Sequence, residues 1–341
     1  MTVPATPPGS GTRLLSFRQL DQRSDAFDDA VMRSPNNVDY FCSSTDWVLP
    51  ARTAFARGAR PVVLECAAGF VALMSLPLAE GGFGLLPLEA SWGLACPFAG
   101  ADSDALVAAL FEVVGQPDPV AHALFLSGLP IRGAVERAIH REAGRRGWIS
   151  GTSATAGRSM ACLRGGLDGF LSRRSPGFRA KARRERRIAA REGLTYEFCD
   201  DAPTETVALD LYERIQSVER RCWKGLTGNG IDGDPAFTFY RSMILRLAAR
   251  GRLRLVFARQ NDQDIAYVFG GVMGGFYRGL QVSFDDAARR LAPGVLVHLE
   301  MIERLSAEGV AVYDLGSEME YKKRWGEREM TTHTVVVMRT F

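Results

Sequence analysis

The segment 276–326 constrains this chain more than any other. It reads as an apolar strand at 276–284, a small-residue junction Leu291-Ala292-Pro293-Gly294-Val295-Leu296, a helix, a second strand ending at Leu315, and a polar stretch with Glu318, Tyr321, Lys322 and Trp325. A strand that feeds a helix through a Pro-Gly turn leaves backbone N–H groups without partners at the helix start, and these can face an anion. Strand, helix and strand in that order also require a sheet with helices packed against it.

The residues before it extend the pattern. Leu253, Leu255 and Phe257 alternate with Arg252, Arg254 and Ala258, Asn261-Asp262 supplies a turn, and Ile265, Tyr267 and Phe269 alternate again, which predicts a hairpin. Val295, Leu299, Ile302 and Leu305 share one helix face that Gly309 closes. The last part of the chain therefore predicts three strands, a helix, a strand, a short helix at 319–325 and a strand at 332–338. The order recurs, blurred, in strands at 61–66, 70–76 and 83–88, a helix at 104–115, a strand at 122–126 and a helix at 131–146. The expected fold class is α/β of mixed α+β character, with two similar halves, each a mixed sheet flanked by helices, and an active cleft between them. The expected domains are 13–155 and 156–341 after a disordered tail at 1–12, with a Gly-, Ser- and Thr-rich link near 147–158.

Charge is distributed unevenly. Nine basic residues and one acid fall between Arg173 and Arg191, a local +8 in a chain of net +3, which leaves −5 elsewhere. Ser175 as cap, Pro176 in the first turn and Gly193 past the end make this a helix with a narrow apolar stripe of Phe178, Ala182 and Ala189. It is either a solvated surface helix or a seat for an anionic partner such as an acyl carrier protein, a tRNA acceptor or a phosphorylated cofactor. One aromatic residue in the run argues against extended duplex binding.

The six cysteines are scattered without a C-x-x-C pair, and four histidines accompany them, so neither a zinc site nor a disulfide framework is expected. No apolar run reaches membrane-spanning length and residues 1–12 lack a signal-peptide pattern, so a cytoplasmic protein without a membrane span is expected.

Several residues can carry chemistry. Ala292, Gly294, Val295 and Leu296 form the anion-facing turn, or else an ordinary strand–helix junction. His298 lies one turn into the helix, as a base or as a core histidine, and Asp314 closes a strand where α/β sheets present side chains to ligands, or caps the next turn. Glu318, Tyr321, Lys322 and Trp325 make a ligand-binding lid or a solvated helix face. Glu219 with Trp223-Lys224-Gly225 can grip an acceptor, or anchor a helix end.

Taken together, the Arg-rich helix, Glu219, Cys222-Trp223-Lys224-Gly225, Ala292-Pro293-Gly294-Val295-Leu296, Asp314-Leu315-Gly316, Tyr321-Lys322 and Trp325 give a chain that resembles the Gcn5-related N-acetyltransferase (GNAT) superfamily over 173–337. Within it, the chain is similar to the double-domain CelD/BcsL branch, itself similar to the Fem peptidoglycan aminoacyltransferases. The resemblance implies an acyl-CoA co-substrate and no metal. It places the donor pyrophosphate on Ala292, Gly294, Val295 and Leu296 and the thioester between two splayed strands. It implies His298, Asp314 or Glu318 as base, Tyr321 as acid, and Glu219, Trp223, Lys224, Lys322 and Trp325 around the amine of a small molecule, sugar or peptide. The chain departs from the usual phosphate loop, with one glycine and a proline after Arg289-Arg290. That leaves room for an acyl carrier protein or an aminoacyl-tRNA as donor, the latter as a Fem-like peptidyl transfer, and for a non-catalytic binding protein on a decayed fold.

Overall fold

The computed structural model describes residues 11–34, 38–79, 81–89, 92–116 and 121–339. The expected tail at 1–12 lies outside them except for Gly11 and Thr12. Two compact units form, Met1–Ala156 with Thr331–Phe341, and Gly157–Met330.

In the first unit, strands β1 (Arg13–Leu15), β2 (Arg60–Cys66), β3 (Gly69–Pro77), β4 (Phe83–Pro87) and β6 (Ala123–Pro130) lie in that order, and β5 (Phe98–Ala99) pairs with β3. Only β4 and β6 run parallel among these neighbours, over two residue pairs. Helices α5 (Ser103–Val114) and α6 (Ala134–Arg145) cover the sheet through Leu106, Leu110 and Ile139 against Leu64, Val71 and Leu85. Four helices at the start, α1 (Phe17–Gln22), α2 (Ser24–Arg33), α3 (Tyr40–Ser43) and α4 (Thr45–Phe55), lie where the sequence pattern gave no expectation.

The link expected at 147–158 contains the boundary between the units, after Ala156, but from Ile149 on it is part of a 14-residue strand, β7 (Ile149–Cys162). Its Gly, Ser and Thr content resembles a loop because residues 151–155 are exposed and bury no apolar face, whereas Met160, Ala161 and Cys162 are buried and pair with β12 (Val312–Ser317). The last strand, β13 (Arg328–Met338), departs from the expected 156–341 domain: its residues 332–338 pair with β6 in the first unit.

The second unit contains α7 (Gly166–Ser172), α8 (Pro176–Arg191), β8 (Thr195–Cys199), α9 (Glu205–Arg221), α10 (Trp223–Leu226), α11 (Ala236–Ala249), β9 (Leu253–Gln260), β10 (Gln263–Met273), β11 (Phe276–Phe284), α12 (Pro293–Ala307) and β12 (Val312–Ser317). Its sheet runs β7-β12-β11-β10-β9-β8. The basic run is helical as patterned, with the Ser175 hydroxyl accepting from the Phe178 N–H. The β9–β10 turn places Asn261 and Asp262 at φ 49° and 61°, the left-handed region that short polar side chains tolerate in hairpins. Helix α12 buries Leu299, Ile302 and Leu305 against Val256, Ala258 and Val268 of the sheet.

Two features open this sheet. Strands β11 and β12 run parallel over only three residue pairs, Phe276 to Arg278 against Val312 to Asp314. Beyond Arg278, β11 keeps β10 on one edge, and its other edge has no ladder partner among the described residues. The β10–β11 register also slips between Phe269 and Gly270, leaving Leu280 as the extra residue of a bulge. The parallel strands therefore splay.

A buried ion triad stands where the splay begins. Asp314 on β12 accepts from Arg158 of β7 at 2.8 Å and from Arg278 of β11 at 2.8 Å, and its Oδ1 also takes the Gly316 N–H at 2.8 Å. All three side chains are nearly inaccessible. Burial alone would push the Asp314 carboxyl up, but the two guanidiniums and the amide hold it below its ordinary value. Removing the carboxylate strands two cations in the interior. Asp314→Ala is therefore expected to cost about 3–5 kcal/mol in denaturant unfolding. Because the folded carboxyl titrates below its ordinary value, this contribution is complete at neutral pH and declines only as pH falls below about 4. A variant as stable as the parent protein at pH 7 contradicts this role.

Candidate active site

A cavity of about 760 Å³ opens at the splay, and every residue lining it belongs to the second unit, not to two halves as expected. Gly279, Leu280, Gln281, Val282 and Phe284 of β11 and Tyr313 and Leu315 of β12 form its strands, and Gly294, Val295 and His298 come from the first turns of α12. Successive β11 residues face opposite sides of the sheet. Val282 and Phe284 pack with the α12 core, while Gln281 donates to the Tyr240 hydroxyl of α11 at 2.6 Å. The cavity thus has walls from both faces. Gly279 keeps the passage open, because a Cβ there would stand 2.8 Å from the Tyr313 ring.

The anion-facing turn is narrower than expected. Ala292 has φ 50° and ψ 43°, a left-handed conformation at the N-cap, and its carbonyl accepts from Val295 at 3.0 Å and Leu296 at 3.3 Å. The Ala292 N–H donates to Arg289 O and Pro293 has no N–H, so Gly294 supplies the amide that this turn leaves open. Leu296, expected on the anion-facing turn, does not reach the cavity: its N–H closes the first helical turn and its side chain is buried. Cations compensate. Lys181 of α8, Arg289 and Arg324 line the same cavity, and α8 packs on the 286–291 turn.

Other expected residues separate into those that reach the cavity and those that support it. Trp223, Lys224, His298, Tyr321, Lys322 and Trp325 line it. Glu219 does not: it is wholly inaccessible, accepts from the Tyr267 hydroxyl at 2.7 Å and pairs with Lys224 Nζ at 3.1 Å. Lys224 in turn donates to Gln281 at 3.1 Å, so Glu219 neutralises and aims the lysine. Asp314 is occupied by its two arginines, and Glu318 is exposed outside the lining. Trp325 is a wall and not a mobile lid. It is buried, stacks on Phe170 and lies 5.0 Å from both Phe178 and His298. Arg174 donates to its carbonyl at 2.6 Å and pairs with Glu327.

The titratable groups around the cavity differ in readiness to move a proton. His298 shares a 2.7 Å hydrogen bond between Nδ1 and the Tyr313 hydroxyl, and burial together with the Lys322 charge holds its imidazole down at about 4. An imidazole there is neutral at pH 7 but accepts a proton weakly, roughly 6 units below an alkylammonium. Lys322 donates to Ser317 O at 3.0 Å; burial and then Arg278 bring its ammonium down to about 8. Burial raises the Tyr321 phenol, so it stays protonated while the residue remains 41% exposed.

Sequence reasoning missed Phe178, Lys181, Gln281 and Tyr313 as lining residues, and Arg158 and Arg278 as the triad's cations. Gln281, an amide between Leu280 and Val282, and Arg278, a charge inside an apolar strand, were readable signals, since a polar group in a buried strand needs a partner.

Comparison with known proteins adds a family. Residues 176–323 match the acetyltransferase (GNAT) domain model. No curated protein matches the sequence. Among solved structures, FemX aligns over 94% of this chain and 96% of its own with a TM-score of 0.63 at 10% identity. A conserved protein of unknown function from Bacteroides thetaiotaomicron covers 96% and 99% with a TM-score of 0.62 at 10% identity. L-PGS from Bacillus licheniformis covers 92% and 91% with a TM-score of 0.56 at 10% identity. At these identities the likeness is one of fold. The fold is thus shared with FemX over nearly the whole of both chains. The chain carries an acetyltransferase domain of the GNAT superfamily at 176–323. Among the described residues no group of side chains is placed to hold a metal, and no helix is long and apolar enough to cross a membrane.

Gly279→Val is expected to fill the splay and lower turnover at least tenfold, with circular dichroism unchanged. Full turnover with a folded variant removes the splay from the site.

Proposed function

We propose that the second unit catalyses N-acyl transfer from a thioester to an amine. The observation that carries this reading is the cavity at the splay, which meets the start of α12 on one side of the sheet and Lys224, Gln281 and Trp223 on the other. A donor lying along the unpaired edge of β11 puts its thioester carbonyl beside main-chain N–H groups, which can stabilise a developing oxyanion. The amine approaches from the Trp223 and Lys224 side. There the Glu219–Lys224 pair presents N–H donors without net charge, so an ammonium is not repelled.

The reaction forms a C–N bond and breaks a C–S bond, and the amine's proton ends on the thiolate. Lys322, near 8, is the cavity group best matched to take a proton from an ammonium, better than His298 near 4. Tyr321, protonated at neutral pH, is placed to supply one to the departing sulfur. His298 holds the Tyr313 hydroxyl on the cavity wall. Acyl-CoA fits the site through its thioester arm; the single open amide at Gly294, with Lys181 and Arg289, is what would meet its phosphates.

The second reading, aminoacyl transfer from a tRNA ester, is favoured by the fold match to FemX over nearly the whole chain. Release of thiol from octanoyl-pantetheine in the presence of a set of primary amines, with mass detection of the amide, tests the first. One thiol per amide is expected; amide formation only with aminoacyl-tRNA favours the second.

Two outcomes follow for the residues. Turnover should rise with pH to an apparent value of about 8, because Lys322 must lose its proton first, and Lys322→Met should remove that limb; a limb that persists assigns the base elsewhere. Tyr321→Phe should lower kcat about tenfold or more with KM for the donor little changed, and unaltered kcat makes Tyr321 a packing residue.

A further inference from the structure

We propose that the acyl donor reaches this cavity on an acidic carrier protein that docks on the outward face of α8, an inference that rests on the acyl-transfer reading above. Arg183, Arg184, Arg187 and Arg191 are exposed, and among the described residues none has a carboxylate within ion-pair distance. At helical spacing they form one stripe opposite buried Ala182 and Ala189. Arg173 and Arg174, by contrast, are used internally, on Glu327 and on the carbonyls of Cys162 and Trp325. The free stripe is therefore a separate feature of the helix.

It is also continuous with the site. Phe178, Lys181 and Ala182 of the same helix line the cavity, and Lys181 neighbours Arg184 three residues on. From Lys181 to Arg191 the helix extends about 15 Å beyond the cavity wall. A free coenzyme has no use for cations that far out, whereas an acidic protein bearing a phosphopantetheine arm meets them as the arm enters.

The turn at 292–296 agrees with this. With one open amide at Gly294, it suits the single phosphodiester of a protein-bound pantetheine better than a diphosphate, which needs several donors. RNA fits less well. The charge is confined to one helix and the rest of the chain is net acidic, so an extended phosphate backbone would meet repulsion away from α8.

The test compares one acyl group on two carriers. Octanoyl transfer is measured from octanoyl-pantetheine and from an octanoyl-loaded acyl carrier protein, with the parent protein and with Arg183→Glu/Arg187→Glu/Arg191→Glu. The kcat/KM for the protein-borne donor should fall at least tenfold and lose its dependence on salt, while that for octanoyl-pantetheine stays the same. Equal losses for both donors, or none, overturn the proposal. Binding of the loaded carrier to the parent protein, read by fluorescence anisotropy, should weaken at least tenfold in the variant. This readout holds even if neither donor turns over, the result that would instead defeat the acyl-transfer reading. No carrier binding, or binding of tRNA in its place, overturns docking. The corresponding triple alanine variant gives the same comparison if charge reversal prevents folding.

Discussion

The Arg158–Asp314–Arg278 triad is the interaction on which the second unit depends. It joins three neighbouring strands, β7, β12 and β11, at the last residue pair before β11 and β12 part. A splay in a parallel pair exposes unpaired backbone and is unfavourable unless something fixes where it begins. A carboxylate held by two guanidiniums does this with direction as well as energy, since all three side chains must come from adjacent strands to meet. Asp314 is valuable here because it is not free to react.

From that fixed point the rest of the site is arranged by packing. The bulge at Leu280 turns β11, Gly279 leaves the passage clear of Tyr313, and α12 enters with Ala292 in a left-handed cap. Trp325, wedged between Phe170, Phe178 and His298, joins the wall to α8. The anchoring of α8 and the cavity wall are thus one structure, and a partner on α8 sits beside the chemistry.

Much of this was legible in the sequence where local pattern decides. The β9–β10 hairpin announced itself by alternation and an Asn-Asp turn, α8 by Ser175-Pro176, and α12 by its apolar face. The junction at 292–296 was recognisable as a helix start, but which amides it leaves open depends on the left-handed Ala292, which no pattern signals. Asp314 reads as a base and Glu219 as an acceptor-binding group because sequence shows an acid without its partners. Arg158 lies 156 residues from Asp314, and Tyr267 lies 48 from Glu219, so only the fold shows them paired. The strand β7 reads as a linker because small polar residues form strands only when neighbours supply the pairing, and its neighbours, β13 and β12, both lie far along the chain.

The most direct test of the central claim is a crystal structure with a non-hydrolysable octanoyl analogue of phosphopantetheine bound, in which a methylene separates the sulfur from the carbonyl. The account predicts the analogue's carbonyl oxygen within hydrogen-bond distance of a β11 main-chain N–H between Gly279 and Val282, its phosphate end toward Gly294 and Lys181, and its acyl carbon open to the Lys224 side. An analogue that binds elsewhere, or that lies in the cavity with its carbonyl away from β11, would contradict acyl transfer at the splay.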